Sequence, residues 1–288
     1  MAIFDDLTLS QASLQDYVEC PYRFRLRYLD CLEWPAVEAE PASRNERMRR
    51  DGSDFHRMVH QYLLGVPAKQ LLALAEHKSS QDGSEVLSDW WRSFCTHWPA
   101  DLPGKCYPEV TLAADVAGRR LVAKYDLIVV EKDAAVILDW KTASHRPTDA
   151  TVEGRLQTRV YPYLLALAGA ALNDGTPISP ERIEMRYWYT AFPNEPTIIP
   201  YGSDQYKLDK AHLTELLEGI SKRPLEGFER TDDLQRCQLC TYRSLCGRGK
   251  TAGHGDLEDE VIGDFVPSID DGDDTMTLDY AQVGEVSF

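Results

Sequence analysis

The stretch Ala134-Ala-Val-Ile-Leu-Asp-Trp-Lys-Thr-Ala143 decides how this chain folds. Its apolar run reads as a strand buried on both faces. Yet Asp139 and Lys141 stand near its end. Two residues apart on a strand, they leave the same face. A buried charge is costly unless something pairs with it or binds it. Just upstream, Arg119–Val130 (RRLVAKYDLIVV) reads as a second strand. With Lys132-Asp133 as the two-residue turn of a hairpin, Asp126 falls opposite Asp139, with Cβ atoms roughly 5 Å apart. Like charges so placed are destabilising. Two carboxylates and a lysine converging on one sheet face suit a divalent cation such as Mg²⁺ or Mn²⁺, which prefers oxygen ligands and shares them with phosphate. On this spacing alone, an Asp–Lys pair closing a strand end is an equal alternative.

Outward from the hairpin, Tyr107–Val116 (YPEVTLAADV) reads as a third strand, and 182–191 and 196–201 as further strands. Residues 153–173 read as a helix with a kink at Pro162. Gln157 and Tyr161 are one helical turn apart and share a face. A further helix is expected over 205–222. Residues 68–98 read as helical, packed through Trp90, Trp91, Phe94 and Trp98. Residues 53–64 read as a short amphipathic helix capped by Ser53. Residues 10–29 read as two helices broken at Cys20-Pro21, with Ser10 or Ser13 capping the first. A connector follows over 31–43.

The chain has 288 residues, 43% apolar and 10% aromatic, enough for a substantial core. No apolar run is long enough to span a membrane, and the N-terminus lacks the pattern of a signal peptide, so a cytoplasmic protein is expected. The net charge of −16 at first argues against nucleic acid. However, residues 251–288 hold eleven acidic and no basic residues, which leaves −5 on the rest. Within that body Arg23, Arg25 and Arg27, then Arg44, Arg47, Arg49 and Arg50, are candidates for phosphate contacts or ordinary solvated charge.

The order Asp126, then Asp139-Trp140-Lys141, resembles the PD-(D/E)XK nuclease superfamily, in particular its RecB-like branch. Gly52-Ser-Asp-Phe-His56 is similar to the upstream Gly-x-x-x-His motif, and Gln157-Thr-Arg-Val-Tyr161 to the downstream Gln-x-x-x-Tyr motif. The resemblance covers about residues 8–250, with Ala123 standing where the branch often has Gly. It implies an α/β, restriction-endonuclease-like mixed central sheet flanked by helices, forming one nuclease domain over 1–250 with a helical region at about 65–105. It also implies metal ligation by His56, Asp126, Asp139 and the Trp140 carbonyl, with Lys141, Gln157 and Tyr161 completing the catalytic set. Glu109 is a candidate for a supporting or second-metal role. His60 matches no motif and is expected to pack or to lie at the surface.

Three of the seven cysteines form Cys237-x-x-Cys240-x5-Cys246. A compact site needs a fourth ligand, and spacing alone does not supply one. The resemblance does: Cys20 in Cys-Pro-x-x-Phe plus this C-terminal triplet is similar to the iron–sulfur nuclease domains of AddB and of CRISPR-associated RecB-like exonucleases. It implies a 4Fe–4S cluster joining the N- and C-terminal segments. Zinc is the chemical alternative. Cys31, Cys95 and Cys106 are expected to be ordinary thiols.

The expectation is a Mg²⁺- or Mn²⁺-dependent deoxyribonuclease acting on single-stranded DNA or DNA ends, in repair, CRISPR adaptation or phage defence. The alternative is a nuclease-fold subunit that mainly scaffolds a helicase or integrase. The acidic stretch 251–288 is expected to be a flexible tail that docks a partner, covers the DNA groove or only aids solubility.

Overall fold

The computed structural model describes residues 7–32, 42–82, 86–98, 102–238 and 240–249. The chain opens with β1 (Leu9–Ser10), α1 (Gln11–Glu19), α2 (Pro21–Phe24) and a π-helical turn Arg25–Leu29. Ser10 and Ser13 cap α1 reciprocally, and Cys20 caps α2. Helices α3 (Ala42–Leu63), α4 (Ala68–Asp82) and α5 (Val86–His97) follow. Then come β2 (Lys105–Pro108), β3 (Thr111–Val116), β4 (Arg119–Lys124), β5 (Leu127–Glu131) and β6 (Ala134–Lys141). Helices α6 (Asp149–Glu153) and α7 (Leu156–Ala168) lead to β7 (Ile183–Tyr189), β8 (Phe192–Pro200) and α8 (Ser203–Lys222).

The expected α/β architecture is present, as two mixed sheets flanked by helices. One has the order β2-β5-β6-β7-β8 and the other β1-β4-β3. Strands β6 and β7 are parallel, so α6 and α7 form the crossover between them.

Two of the expected strands are each broken at a corner. Tyr107–Val116 divides into β2 and β3, and Arg119–Val130 into β4 and β5, with the halves in different sheets. Pairing continues through the corner, where Glu109 N–H donates to Asp126 C=O at 3.0 Å and Tyr125 N–H donates to Val110 C=O at 2.9 Å. Glu109 holds a left-handed φ of 52°, a conformation a non-glycine residue adopts at a cost and one that turns the strand. The β5–β6 register is the expected one, with Leu127 opposite Leu138 and Ile128 opposite Ile137. Continued by one residue, it sets Asp126 against Asp139.

Helix α3 starts well before the expected residue 53. Ser53 lies mid-helix and is no cap, because the helix begins at Ala42. The neighbouring Gly52 meets the exit of β6, where a Cβ would stand 3.2 Å from Thr142 Oγ1. Helix α7 carries Pro162 inside it, and the expected helix over 153–173 is divided, with α6 ending at Glu153 and α7 running from Leu156 to Ala168. The expected helical region stops at His97, since Lys105–Pro108 is a strand. Most of the 31–43 connector, the Arg44 side chain and the acidic stretch 251–288 lie outside the described residues.

Alternation along the strands divides the core. Ala135 and Ile137 of β6 join Ile128, Val130, Val160, Leu164, Met185 and Tyr187 in one cluster. Leu138 and Trp140 join Phe55, Val59, Trp91, Phe94, Leu127 and Trp188 in the other. Asp139 and Lys141 share the parity of Ala135 and Ile137, so they emerge on the α7 side. Trp140 faces α5, with its ring 4.7 Å from that of Trp98 and 5.8 Å from that of Phe94, edge to face.

Candidate active site

The end of β6 projects Asp139 and Lys141 beneath the first turns of α7. Both are buried, at 4% and 6% exposure, as are Gln157 and Tyr161. Lys141 Nζ donates to Gln157 Oε1 at 2.9 Å and lies 2.9 Å from Asp139 Oδ2. Gln157 Nε2 donates to Asp139 Oδ1 at 2.6 Å. The carboxylate, ammonium and amide therefore close a ring. Gln157 suits its middle because one amide supplies both a donor and an acceptor. Asp139 Oδ2 is buried and lacks a hydrogen-bond partner, since Lys141 approaches it as a charge without hydrogen-bond alignment.

Asp126 and His56 stand at the open side of this ring. Asp126 Oδ1 lies 3.1 Å from His56 Nδ1, and Asp126 Oδ2 accepts the Trp140 N–H at 2.9 Å. The backbone of the residue between Asp139 and Lys141 thus steers the facing carboxylate. Glu109 pairs with Lys124 beside the corner. Tyr125 donates its hydroxyl to the Tyr161 carbonyl at 2.9 Å, tying α7 to the strand that presents Asp126.

The electrostatics separate the two carboxylates. Burial pushes Asp139 up to about 6, with Lys141 opposing and Asp126 adding to the rise. Burial would also raise Asp126, but His56, the Trp140 N–H and Lys141 outweigh it and hold Asp126 below the ordinary range. Burial works against a charged His56, yet Asp126, Asp139 and Glu109 raise its pKa overall. Burial and the two carboxylates lift Tyr161 far above the usual phenol range, so it remains a neutral hydroxyl at physiological pH. The pair behaves as two acids sharing one site, which is how closely spaced like charges relieve repulsion.

The structure thus brings together His56, Asp126, Asp139, Lys141, Gln157 and Tyr161 from three separate elements and one strand corner. His60, one turn along α3, is half-buried. Tyr125 and Tyr187, which contact this group, carry no motif. Their only sequence signals are adjacency to Asp126 and strand parity.

Among the described residues, Cys20, Cys237, Cys240 and Cys246 do not stand in a coordination sphere. Cys20 Sγ accepts the Arg23 N–H at 3.4 Å, and Cys237 Sγ accepts from Arg248 Nη1 at 3.0 Å. Burial raises the Cys240 and Cys246 thiols. Arg23 opposes this at Cys240 and Arg230 at Cys246. Cys20 adds to the rise at both, so thiols from the two ends of the sequence lie within one another's field. Hydrogen bonds join these ends: Tyr22 N–H to Glu229 C=O at 3.0 Å, Arg25 Nη1 to Leu225 C=O at 3.0 Å, and the Tyr242 hydroxyl to Leu32 C=O at 2.9 Å. Cys31, Cys95 and Cys106 are exposed.

The first arginine group is engaged in ion pairs within the protein. Arg23 is committed to Asp16 at 2.8 Å and to Glu19, Arg27 to Asp16 at 3.3 Å, and Arg25 to Asp30 at 3.0 Å. Their partners come from α1 and the following turn, so these charges fasten the N-terminal helices.

Among the described residues, no three His, Cys, Asp or Glu side chains stand in a ready-made coordination sphere. The donor types at the carboxylate site nevertheless suit a divalent cation: two carboxylates of opposite protonation tendency, one with a buried oxygen that no hydrogen bond satisfies, and an imidazole. No helix among the described residues is long and apolar enough to cross a membrane.

A family model described as the PD-(D/E)XK nuclease superfamily matches residues 8–247. The crystal structure of SSO0001 is 14% identical with a TM-score of 0.38, over 83% of this chain and 85% of that one. A "Putative exonuclease (RER070207002219) from Eubacterium rectale" is 11% identical with a TM-score of 0.48, over 87% of this chain and 92% of that one. No curated protein matches the chain.

Proposed function

The chain belongs to the PD-(D/E)XK nuclease superfamily, and from that premise we propose that it is a Mg²⁺- or Mn²⁺-dependent deoxyribonuclease acting on single-stranded DNA or DNA ends. The observation that carries this reading is the buried Asp139–Lys141–Gln157 ring behind the more open Asp126–His56 pair. His56, Asp126, Asp139 and the Trp140 carbonyl would hold the cation. When bound, it supplies Lewis acidity and neutralises charge at the scissile phosphate.

The remaining work belongs to the chain. Gln157 restricts the Lys141 ammonium to one direction by accepting one of its N–H bonds. That leaves Lys141 to orient the attacking water or a phosphate oxygen, a positioning contribution that depends on rigid placement. Gln157 also donates to Asp139 and so keeps the second carboxylate oxygen turned away from it. Tyr161, held neutral, closes the inner wall against water. The Arg47, Arg49 and Arg50 run on α3 leads into His56 and would take flanking phosphates.

In this reading residues 1–250 form one domain, and Cys20, Cys237, Cys240 and Cys246 hold a 4Fe–4S cluster whose role is structural. The convergence of thiols from the two ends supports it. Zinc would give a colourless protein. A cytoplasmic setting suits reduced thiols. A helicase or integrase partner, and a tail over 251–288 that docks it or covers the groove, complete the proposal.

The test is digestion of end-labelled single- and double-stranded DNA across a metal series, with the Asp139→Ala protein alongside. Metal-dependent cleavage by the parent and a loss of roughly 10³-fold in the variant are expected. Equal cleavage by both would remove the active-site assignment. Cleavage by neither, with DNA binding retained, would favour the scaffold alternative.

A further inference from the structure

Lys141 has a neighbour that no motif names. Its ammonium lies 5.4 Å from the ring centroid of Tyr187. Tyr187 stands on β7 directly beside Asp139 in the parallel ladder. It is fully buried, and Lys141 is nearly so. A cation over an aromatic face is attracted by the ring quadrupole, and the attraction grows when both partners are out of water.

The ring is held in place from its far end. Thr158 on α7 donates its hydroxyl proton to the Val152 carbonyl at 2.6 Å. Its oxygen is then the acceptor in the 2.7 Å contact with the Tyr187 hydroxyl, so Tyr187 is the donor. The Tyr187 ring therefore spans from the β7 backbone to the first turn of α7, with its face toward Lys141. Gln157, which fixes the ammonium from above, is one residue before Thr158 on the same helix. One helical turn thus sets both the amide and the aromatic wall of the lysine pocket.

We propose that Tyr187 is a positioning residue for Lys141: its ring face confines the ammonium to the side of the pocket where Asp139 and Gln157 can aim it at the substrate phosphate. This deepens the nuclease reading and rests on it. The hydroxyl orients the ring, and the ring's electrons hold the lysine. The ring's charge distribution therefore matters for turnover, and its volume for stability.

The experiment separates the two. Phenylalanine, 4-fluorophenylalanine and 3,4,5-trifluorophenylalanine are placed at position 187, a series that weakens the ring quadrupole at nearly constant volume. We expect kcat to fall stepwise, by roughly 5-fold in total, with KM for DNA unchanged and melting temperatures alike. The ¹H–¹⁵N signal of the Lys141 ammonium is read in the metal-free protein and assigned by its absence in Lys141→Met. It should show an upfield ring-current shift in the parent and in Tyr187→Phe, and lose that shift in Tyr187→Leu. A flat kcat across the series, or an ammonium shift unchanged by Tyr187→Leu, overturns the inference. An inactive parent overturns the nuclease reading instead, and the ammonium signal still decides whether Tyr187 holds Lys141.

Discussion

Asp139→Asn should make the metal-free protein more stable while abolishing its activity. Burial pushes the Asp139 carboxyl from 3.8 up to about 6, so in the folded state its ionised form is disfavoured by about 2 pKa units. At about 1.4 kcal/mol per unit, ionised Asp139 costs about 3 kcal/mol of folding stability at neutral pH. A neutral isostere recovers that amount. The asparagine amide also brings a donor nitrogen into a pocket where Gln157 Nε2 already donates and the Lys141 ammonium stands 2.9 Å away. That conflict takes back about 1–2 kcal/mol, leaving a net gain of about 1–2 kcal/mol. The pH dependence fixes the sign. A carboxyl with a raised folded pKa takes up a proton on folding, so its contribution is fully present below pH 3.8 and is lost as pH rises through about 6. The advantage of the variant should therefore be absent near pH 4 and reach a plateau above pH 7. Urea unfolding in EDTA at several pH values measures it directly. A variant less stable than the parent at pH 7.5, or a difference independent of pH, would refute the assignment of Asp139 as a strained buried carboxylate. With Mn²⁺ present the ranking should reverse, because a ligand bound only by the folded parent stabilises that protein alone.

Lys141→Met should reduce cleavage by roughly 10²-fold or more and also lower stability at neutral pH, since it leaves the buried Asp139 carboxylate without its counter-charge; unchanged kcat would exclude a role for Lys141 in the chemistry. Cys240→Ser should bleach the visible absorbance of anaerobically purified protein and lower its melting temperature, because metal binding is coupled to folding; normal colour would exclude Cys240 as a ligand. Asp209→Ala should cost about 3 kcal/mol in denaturant titration, because it strips a fully buried carboxylate from Arg159, Tyr201 and Gln205. Deleting residues 256–288 should tighten single-stranded DNA binding if that acidic segment covers the groove, and equal affinity would exclude this.

Much of the site could be read before the fold was in view. A two-residue turn leaves a hairpin little freedom, so Lys132-Asp133 was enough to set Asp126 toward Asp139. Strand parity placed Lys141 on the same face, and helical spacing placed Gln157 with Tyr161. The corner was not legible, because the apolar pattern runs on through Tyr125 and gives no sign that the strand changes sheets. Only Glu109, a charged residue in a left-handed conformation, marks the place. Helix α3 was misread because Gly52-Ser53 resembles a start signal, whereas the glycine serves a close approach to Thr142 from elsewhere in the chain. Arg23 and Arg27 looked available for phosphate because their partners are ordinary surface residues until the helices fold together. Three of the four proposed cluster ligands stand out by their spacing. Cys20 comes only from family resemblance, since no local pattern links residues so far apart in sequence.

The contacts between the two ends of the domain also impose an order of events on synthesis. The partners of Arg25 and Leu32 lie 200 and 210 residues further on. At 5–20 residues per second, roughly 10–40 s separate the emergence of the first partner from that of the second. During that interval the strands can pair and α1 can pack on α7, but the segment bearing Leu225 and Tyr242, which closes over Arg25 and Leu32, has not yet been made. The π-helical turn and the residues just after it are therefore made early in this domain and among the last parts to be secured.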